Sequence, residues 1–217
     1  MKGKKSKKVK KKKMNDIKII VKGWVKLLPF YLFTLLLLFV SCSEKDDAVE
    51  EYPDWKNKND KFFENAYQAH DYDIALKKFS LMESITAAHT DYVLVDVIEE
   101  GYGGESPYLT DSVLVHYAGH LIPSSTYTEG FPFDQSYQEP FDYDTAVPSA
   151  MALNNTRIGF ATALQKMHRG DYWRVTIPYQ MGYGASGTSD GLIPGYSTLI
   201  FDIRLEDFWT KKRGHRD

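Results

Sequence analysis

The residues of this chain best suited to chemistry are aromatic side chains with a few polar groups set among them. They form an ordered series in the second half. It runs Val115-His116-Tyr117-Ala118-Gly119, Phe133-Asp134-Gln135-Ser136, Pro140-Phe141, Gly159-Phe160 and Ile177-Pro178. It continues with Tyr183-Gly184-Ala185-Ser186-Gly187, Leu192-Ile193-Pro194 and Ser197-Thr198-Leu199-Ile200-Phe201-Asp202-Ile203. No nucleophile triad, metal cage or nucleotide loop accompanies them. Gly182 to Gly187 has the form G-x-G-x-x-G, but a dinucleotide fingerprint must open a helix within a βαβ unit. Here Thr188, Ser189, Asp190, Gly191 and Pro194 follow, which are loop residues. His116 and His120 share a face if their strand continues. Two histidines without a third ligand or a nearby cysteine do not make a metal site, so no metal and no cofactor is expected.

In order and spacing the fragments resemble the FKBP-type peptidyl-prolyl cis-trans isomerases, from about Tyr92 to Phe208. The resemblance implies an α+β fold, a twisted antiparallel β-sheet wrapped around one short α-helix with the site between them. It implies that Tyr117, Phe133, Phe141 and Phe201 line an aromatic pocket and that Ile193 forms an aliphatic wall. Phe160 stands where the family commonly places a tryptophan floor. Asp134 matches the family's pocket carboxylate, and Tyr183 the tyrosine whose hydroxyl donates to the substrate carbonyl. The sequence departs from the family at Thr156-Arg157-Ile158, where Val-Ile usually precedes the Gly-aromatic pair. Arg157 therefore alters the substrate rim. The segment from Asp144 to Asn155 is longer than usual, and Thr188 replaces a frequent loop histidine.

The implied reaction needs no proton transfer. Rotation about an X-Pro amide crosses a barrier of ~18–20 kcal/mol because the C–N bond has partial double-bond character. A dry aromatic pocket that holds the amide twisted lowers this barrier by binding the transition state better than the ground state. Aromatic walls, one or two polar groups and a loop suffice.

The elements that position these residues follow from periodicity. Tyr92 to Ile98 is rich in branched residues and ends at Gly101-Tyr102-Gly103-Gly104, a strand and its turn. Val113–Tyr117 and Tyr172–Ile177 read as strands, and Thr198 to Glu206 alternates apolar with polar positions. Shorter strands are expected around Phe133 and Phe141. A helix capped by Asn154 or Asn155 and ended by Gly170 carries Phe160, Leu164 and Met167 on one stripe. Upstream, Asp54 is the expected cap of a helix bearing Trp55, Phe62, Phe63, Ala66 and Tyr67. A second helix is expected from Ile74 to Ile85.

The first forty-one residues are not fold. A lysine-rich run over residues 2–13 stays solvated. The apolar Leu27 to Val40 has the length of a signal-peptide core and is shorter than the ~20 residues of a spanning helix. Ser41-Cys42 follows, resembling the lipobox of bacterial lipoproteins. Met14 is an alternative start, and an uncleaved anchor the alternative to cleavage. Cys42 is the sole cysteine, so no intrachain disulfide forms and its expected fate is acylation. The expected layout is signal peptide 1–41, acidic tether 42–53, helical extension 54–90, isomerase-like domain 91–210 and charged tail 211–217. The acidic run of the tether fits either a surface-export signal or a solvated spacer.

Of 27 basic and 29 acidic residues, twelve lysines and one acid lie in 1–41. The remainder carries a net charge of −13, which disfavours nucleic acid as a partner. The expected protein is a lipid-anchored monomer of the bacterial cell envelope, with the outer membrane favoured, that acts on proline-containing polypeptides. The competing reading is an FKBP-like module that binds a peptide or partner without turnover.

Overall fold

The computed structural model describes residues 51–72, 76–80 and 87–210. The expected signal peptide, most of the tether including Cys42, and the charged tail lie outside them. An 18-residue helix, α1 (Trp55–Tyr72), opens the described chain. Its stripe forms as the spacing predicts, with Trp55 and Phe63 buried and Phe62 packed at the core margin. The Asp54 carbonyl accepts from Lys58 N at 3.1 Å, and its carboxylate accepts from the Asn57 amide at 2.5 Å.

The strands are β1 (Leu76–Phe79), β2 (Val93–Glu99), β3 (Asp111–Leu121), β4 (Pro132–Gln135), β5 (Ser149–Ala152), β6 (Tyr172–Ile177) and β7 (Leu199–Thr210). Their order is β1-β2-β6-β7-β3-β4, with β5 also on β3, and every pairing is antiparallel. β5 pairs with residues 112–115 of β3 and β4 with 118–120, so the two short strands share one edge of the longest pair. The second short helix, α2 (Ile158–Leu164), lies on one face, and six of its seven residues are buried. This is the expected α+β arrangement, an antiparallel sheet with one short helix across its face.

Three expectations change. Leu76–Phe79 is a strand, not part of a helix over 74–85; Ile74 and residues 81–86 lie outside the described residues. The apolar spacing there suits a helix, but Phe79 instead stacks on Trp173 of β6, centroids 5.7 Å apart, as β1 extends the sheet edge. That tertiary contact overrides local periodicity. The helix expected from Asn154/Asn155 to Gly170 is only α2. Leu153–Asn155 forms a 3-10 turn, Arg157 is the N-cap and Gln165 the C-cap. Phe160, Leu164 and Met167 are all buried, yet Met167 and the basic Lys166, His168 and Arg169 lie past the helix end. Finally, no strand forms around Phe141, which lies in the irregular stretch between β4 and β5.

Helix α1 is tied to the chain that enters β7. Trp55 Nε1 donates to Ser197 Oγ at 2.8 Å, and Ser197 Oγ donates to the Pro194 carbonyl at 2.7 Å. Asn59, 0% exposed, accepts from Thr198 N at 2.7 Å and donates to the Trp55 carbonyl at 2.8 Å. Removing this amide strands a buried backbone N–H, which costs about 1–3 kcal/mol. Asn59→Ala should therefore lower the urea midpoint by an amount corresponding to that range, with the slope of the transition unchanged. An unaltered midpoint would show that the clamp adds nothing.

Candidate functional site

The pleat of β3 sends neighbouring side chains to opposite faces. Tyr117 pairs with Ile203 and Gly119 with Phe201, which puts these residues on the helix-covered face. Gly119 is required there. A Cβ on it would stand 2.6 Å from the Phe201 ring and 2.7 Å from the Phe133 ring. Without it Phe133 and Phe201 lie across the strand, centroids 5.4 Å apart and nearly perpendicular. Phe160 of α2 meets Phe201 at 5.0 Å and Tyr117 at 6.0 Å, both edge to face. Such pairs add about 0.5–1.5 kcal/mol beyond burial and hold each ring in one orientation.

Tyr117, Phe160 and Phe201 border a cavity of about 190 Å³. It is lined by Tyr117, Asp134, Met151, Arg157, Phe160, Tyr183 and Phe201, with Asn155 and Thr156 at the turn before α2. The Tyr117 hydroxyl donates to Asp134 Oδ2 at 3.0 Å. Burial, and then the Asp134 carboxylate, push the Tyr117 hydroxyl up to about 12, so it remains a protonated donor at neutral pH. Also in the lining, the Arg157 guanidinium lies over the Tyr183 ring, 4.8 Å from its centroid, within cation–π range.

Tyr183 is carried by the loop between β6 and β7, where no helix follows the glycines. Gly184 N donates to the Tyr179 carbonyl and Tyr196 N to the Gly184 carbonyl. Gly187 adopts φ +70°, and a Cβ there would run into the Ile193 carbonyl. Thr188 closes the loop, its N–H donating to the Ile193 carbonyl at 2.9 Å while its hydroxyl accepts from Ile193 N at 3.0 Å. The G-x-G-x-x-G form therefore encodes turns.

Six residues expected at the site meet at this cavity: Tyr117, Asp134, Arg157, Phe160, Tyr183 and Phe201. Phe133 supports Phe201 from behind and does not line it. Ile193 is buried in the core and anchors the loop through its backbone. Phe141 is a correction. It lies on the other face of the sheet, 5.0 Å from the His116 ring, 4.7 Å from Tyr143 and 4.5 Å below the Arg204 guanidinium. The cause is the long connection between β4 and β5, which carries Phe141 away before the chain returns at Ser149. β5 then supplies Met151, which sequence reading missed along with Asn155 and Thr156. The available signal was Pro148 ahead of a short run leading toward the helix that carries Gly159-Phe160.

His116, neighbour of Tyr117 on β3, is 3% exposed on that second face, ringed by Tyr137, Phe141 and Tyr143. His120 turns its Nδ1 to the Leu121 carbonyl. Among the described residues no three histidine, cysteine or acidic side chains converge on a common point. Burial pushes the His116 imidazole below its ordinary range, with Glu206 at 3.7 Å opposing and Arg204 assisting. The folded state thus prefers neutral His116. Its contribution is present above the unfolded value of about 6.5 and is lost as pH falls through the lower folded value. Between pH 7.5 and 5 the midpoint of urea unfolding should fall less in His116→Phe than in the wild type. Parallel profiles would rule out His116 as a source of the acid sensitivity.

Residues 103–206 match the family model of the FKBP-type peptidyl-prolyl cis-trans isomerases. The macrophage infectivity potentiator of Trypanosoma cruzi is 37% identical over 108 residues, 50% of this chain and 48% of that protein. The FKBP-type 22 kDa peptidyl-prolyl cis-trans isomerase of Escherichia coli is 36% identical over 109 residues, 50% of this chain and 46% of that protein. The chain thus spans about half the length of the curated relatives it matches. Among solved structures, FkpA from Escherichia coli aligns with TM-score 0.54 and 26% identity, over 73% of this chain and 63% of that one. A peptidyl-prolyl cis-trans isomerase from Pseudomonas syringae aligns with TM-score 0.51 and 27% identity, over 70% and 95%.

Proposed function

We propose that this FKBP-like domain is a peptidyl-prolyl cis-trans isomerase acting on X-Pro bonds of cell-envelope proteins as a folding helper. The observation that carries the reading is the aromatic cavity over Phe160, lined by Tyr117 bonded to Asp134 and by Tyr183. The proline ring enters between Tyr117, Phe160 and Phe201, displacing water from their apolar faces. Phe160, smaller than an indole, leaves the floor deep. Tyr183 donates to the substrate carbonyl as the amide twists. Asp134 fixes the Tyr117 ring and supplies the one carboxylate at the wall. Binding the twisted amide better than either planar form lowers the barrier without a covalent step. The protonated state of Tyr117 keeps it from acting as a base.

A second reading, a module that binds peptides without turnover, draws on the Arg157 guanidinium over Tyr183, which narrows the lip of the cavity. For location, the lipobox-like Ser41-Cys42 after an apolar run supports a bacterial lipoprotein, acylated at Cys42 and facing the periplasm or cell surface, with the protein a monomer.

The purified full chain should accelerate cis-to-trans conversion of Xaa-Pro peptides at micromolar concentration. No acceleration would leave the binding module. Tyr183→Phe and Asp134→Ala should each lower kcat/KM by about 2- to 10-fold, the worth of one hydrogen bond. Phe141→Ala, across the sheet, should lower stability and leave kcat/KM within about twofold, the size of change expected where no substrate contact is lost; equal loss in all three variants would place the site elsewhere. Separately, Cys42→Ser should move the protein from the membrane fraction to the soluble one, and continued attachment would point to an uncleaved anchor.

A further inference from the structure

We infer that Arg157 makes the pocket selective for proline bonds flanked by a carboxylate-bearing residue, a substrate class that rests on the isomerase reading. The described residues contain four arginines. Arg169 is paired with Asp207 at 2.6 Å, Arg174 with Asp202 at 2.8 Å and Arg204 with Glu99 at 3.3 Å. Among the described residues Arg157 alone has no carboxylate within ion-pairing distance, and it is the arginine that lines the cavity.

Its backbone explains its place. Arg157 is the extended N-cap of α2, with φ −66° and ψ 146°, and its carbonyl accepts from Ala161 N at 2.9 Å. The side chain is exposed and steadied by the Tyr183 ring, so its planar fork of donors is held at the lip. That fork matches the geometry of a carboxylate, which it can engage through two parallel hydrogen bonds. The other charged group in the lining, Asp134, is already engaged by the Tyr117 hydroxyl and forms no ion pair with Arg157. A cavity of about 190 Å³ seats the proline ring and leaves the adjoining residue over the lip. There it meets a cation without a counter-ion.

The long-range field sharpens the point. On the lipoprotein reading the processed chain, residues 42–217, carries a net charge of −13, which repels acidic peptides. Arg157 reverses that repulsion at short range, where screening is weakest. An exposed ion pair supplies a modest preference, about two- to fivefold.

The test uses two matched peptide series, with Glu, Gln or Lys placed either before or after the proline, assayed at low and high salt with the full chain. In at least one series kcat/KM should rank Glu above Gln above Lys, with Glu over Gln by about two- to fivefold. The spread should contract at high salt. Arg157→Glu should invert the Glu-to-Lys ratio, and Arg157→Lys should retain part of it. Equal rates for the three peptides in both series, or a Glu preference that survives charge reversal, would overturn the inference while leaving the isomerase reading intact. Should no peptide be isomerised, the isomerase reading fails, and dissociation constants for the same peptides decide the selectivity: a Glu preference lost in Arg157→Glu supports it, and equal affinities overturn it.

Discussion

Everything at the site depends on the pairing of β3 with β7 and on the alternation that this pairing enforces. Because side chains along a strand alternate between faces, Tyr117 and His116 are separated by the whole thickness of the sheet although they adjoin in sequence. Tyr117, Gly119, Phe201 and Ile203 fall on the face that α2 covers, while His116 and Arg204 are paired on the other. A slip of one residue in this register would exchange the two sets and destroy both. Gly119 adds a second condition, since only a missing side chain at that point lets the rings of Phe133 and Phe201 meet across the strand.

The two faces are then completed by different parts of the chain. On one, α2, β5 and the loop carrying Tyr183 close an aromatic cavity. On the other, the connection between β4 and β5 folds Tyr137, Phe141 and Tyr143 over His116 and Arg204. The first arrangement leaves a void that a ring can enter; the second fills its space with rings packed edge to face. α1 joins the first, since its Trp55 and Asn59 hold Ser197 and Thr198, at the root of the loop that presents Tyr183 and Ile193. The helical extension thereby becomes part of the scaffold behind the site.

How much could be read in advance varied with the kind of signal. Tyr172–Ile177 has the bounds expected of it, and β3 and β7 run longer than read, because branched and alternating residues state their conformation locally. The segment from Leu76 to Phe79 departs from the helix expected over 74–85 because four residues satisfy helix and strand periodicity alike, and the stacking of Phe79 on Trp173 decides between them. Helix α2 was read too long because its apolar stripe continues through Met167, which remains buried after the helix has ended. Phe141 was misplaced because the pair Pro140-Phe141 fits the resemblance by type, while its true position depends on how far the following connection travels.

The sequence by itself named much of the pocket, since the family resemblance carried by its ordered fragments implies Tyr117, Asp134, Phe160, Tyr183 and Phe201, all of which line it. It also determined the β-rich character of the domain, because strand alternation is a local property, while the antiparallel sheet was what the resemblance implied. The tertiary structure alone decided which aromatic residues face one another. It moved Phe141 to the opposite face, drew Met151 into the lining, set Phe133 and Ile193 behind it, and left Arg157 at the lip without a carboxylate. The reason is that side-chain chemistry is carried by each residue, whereas a cavity arises from the register and connection lengths of segments far apart in the chain.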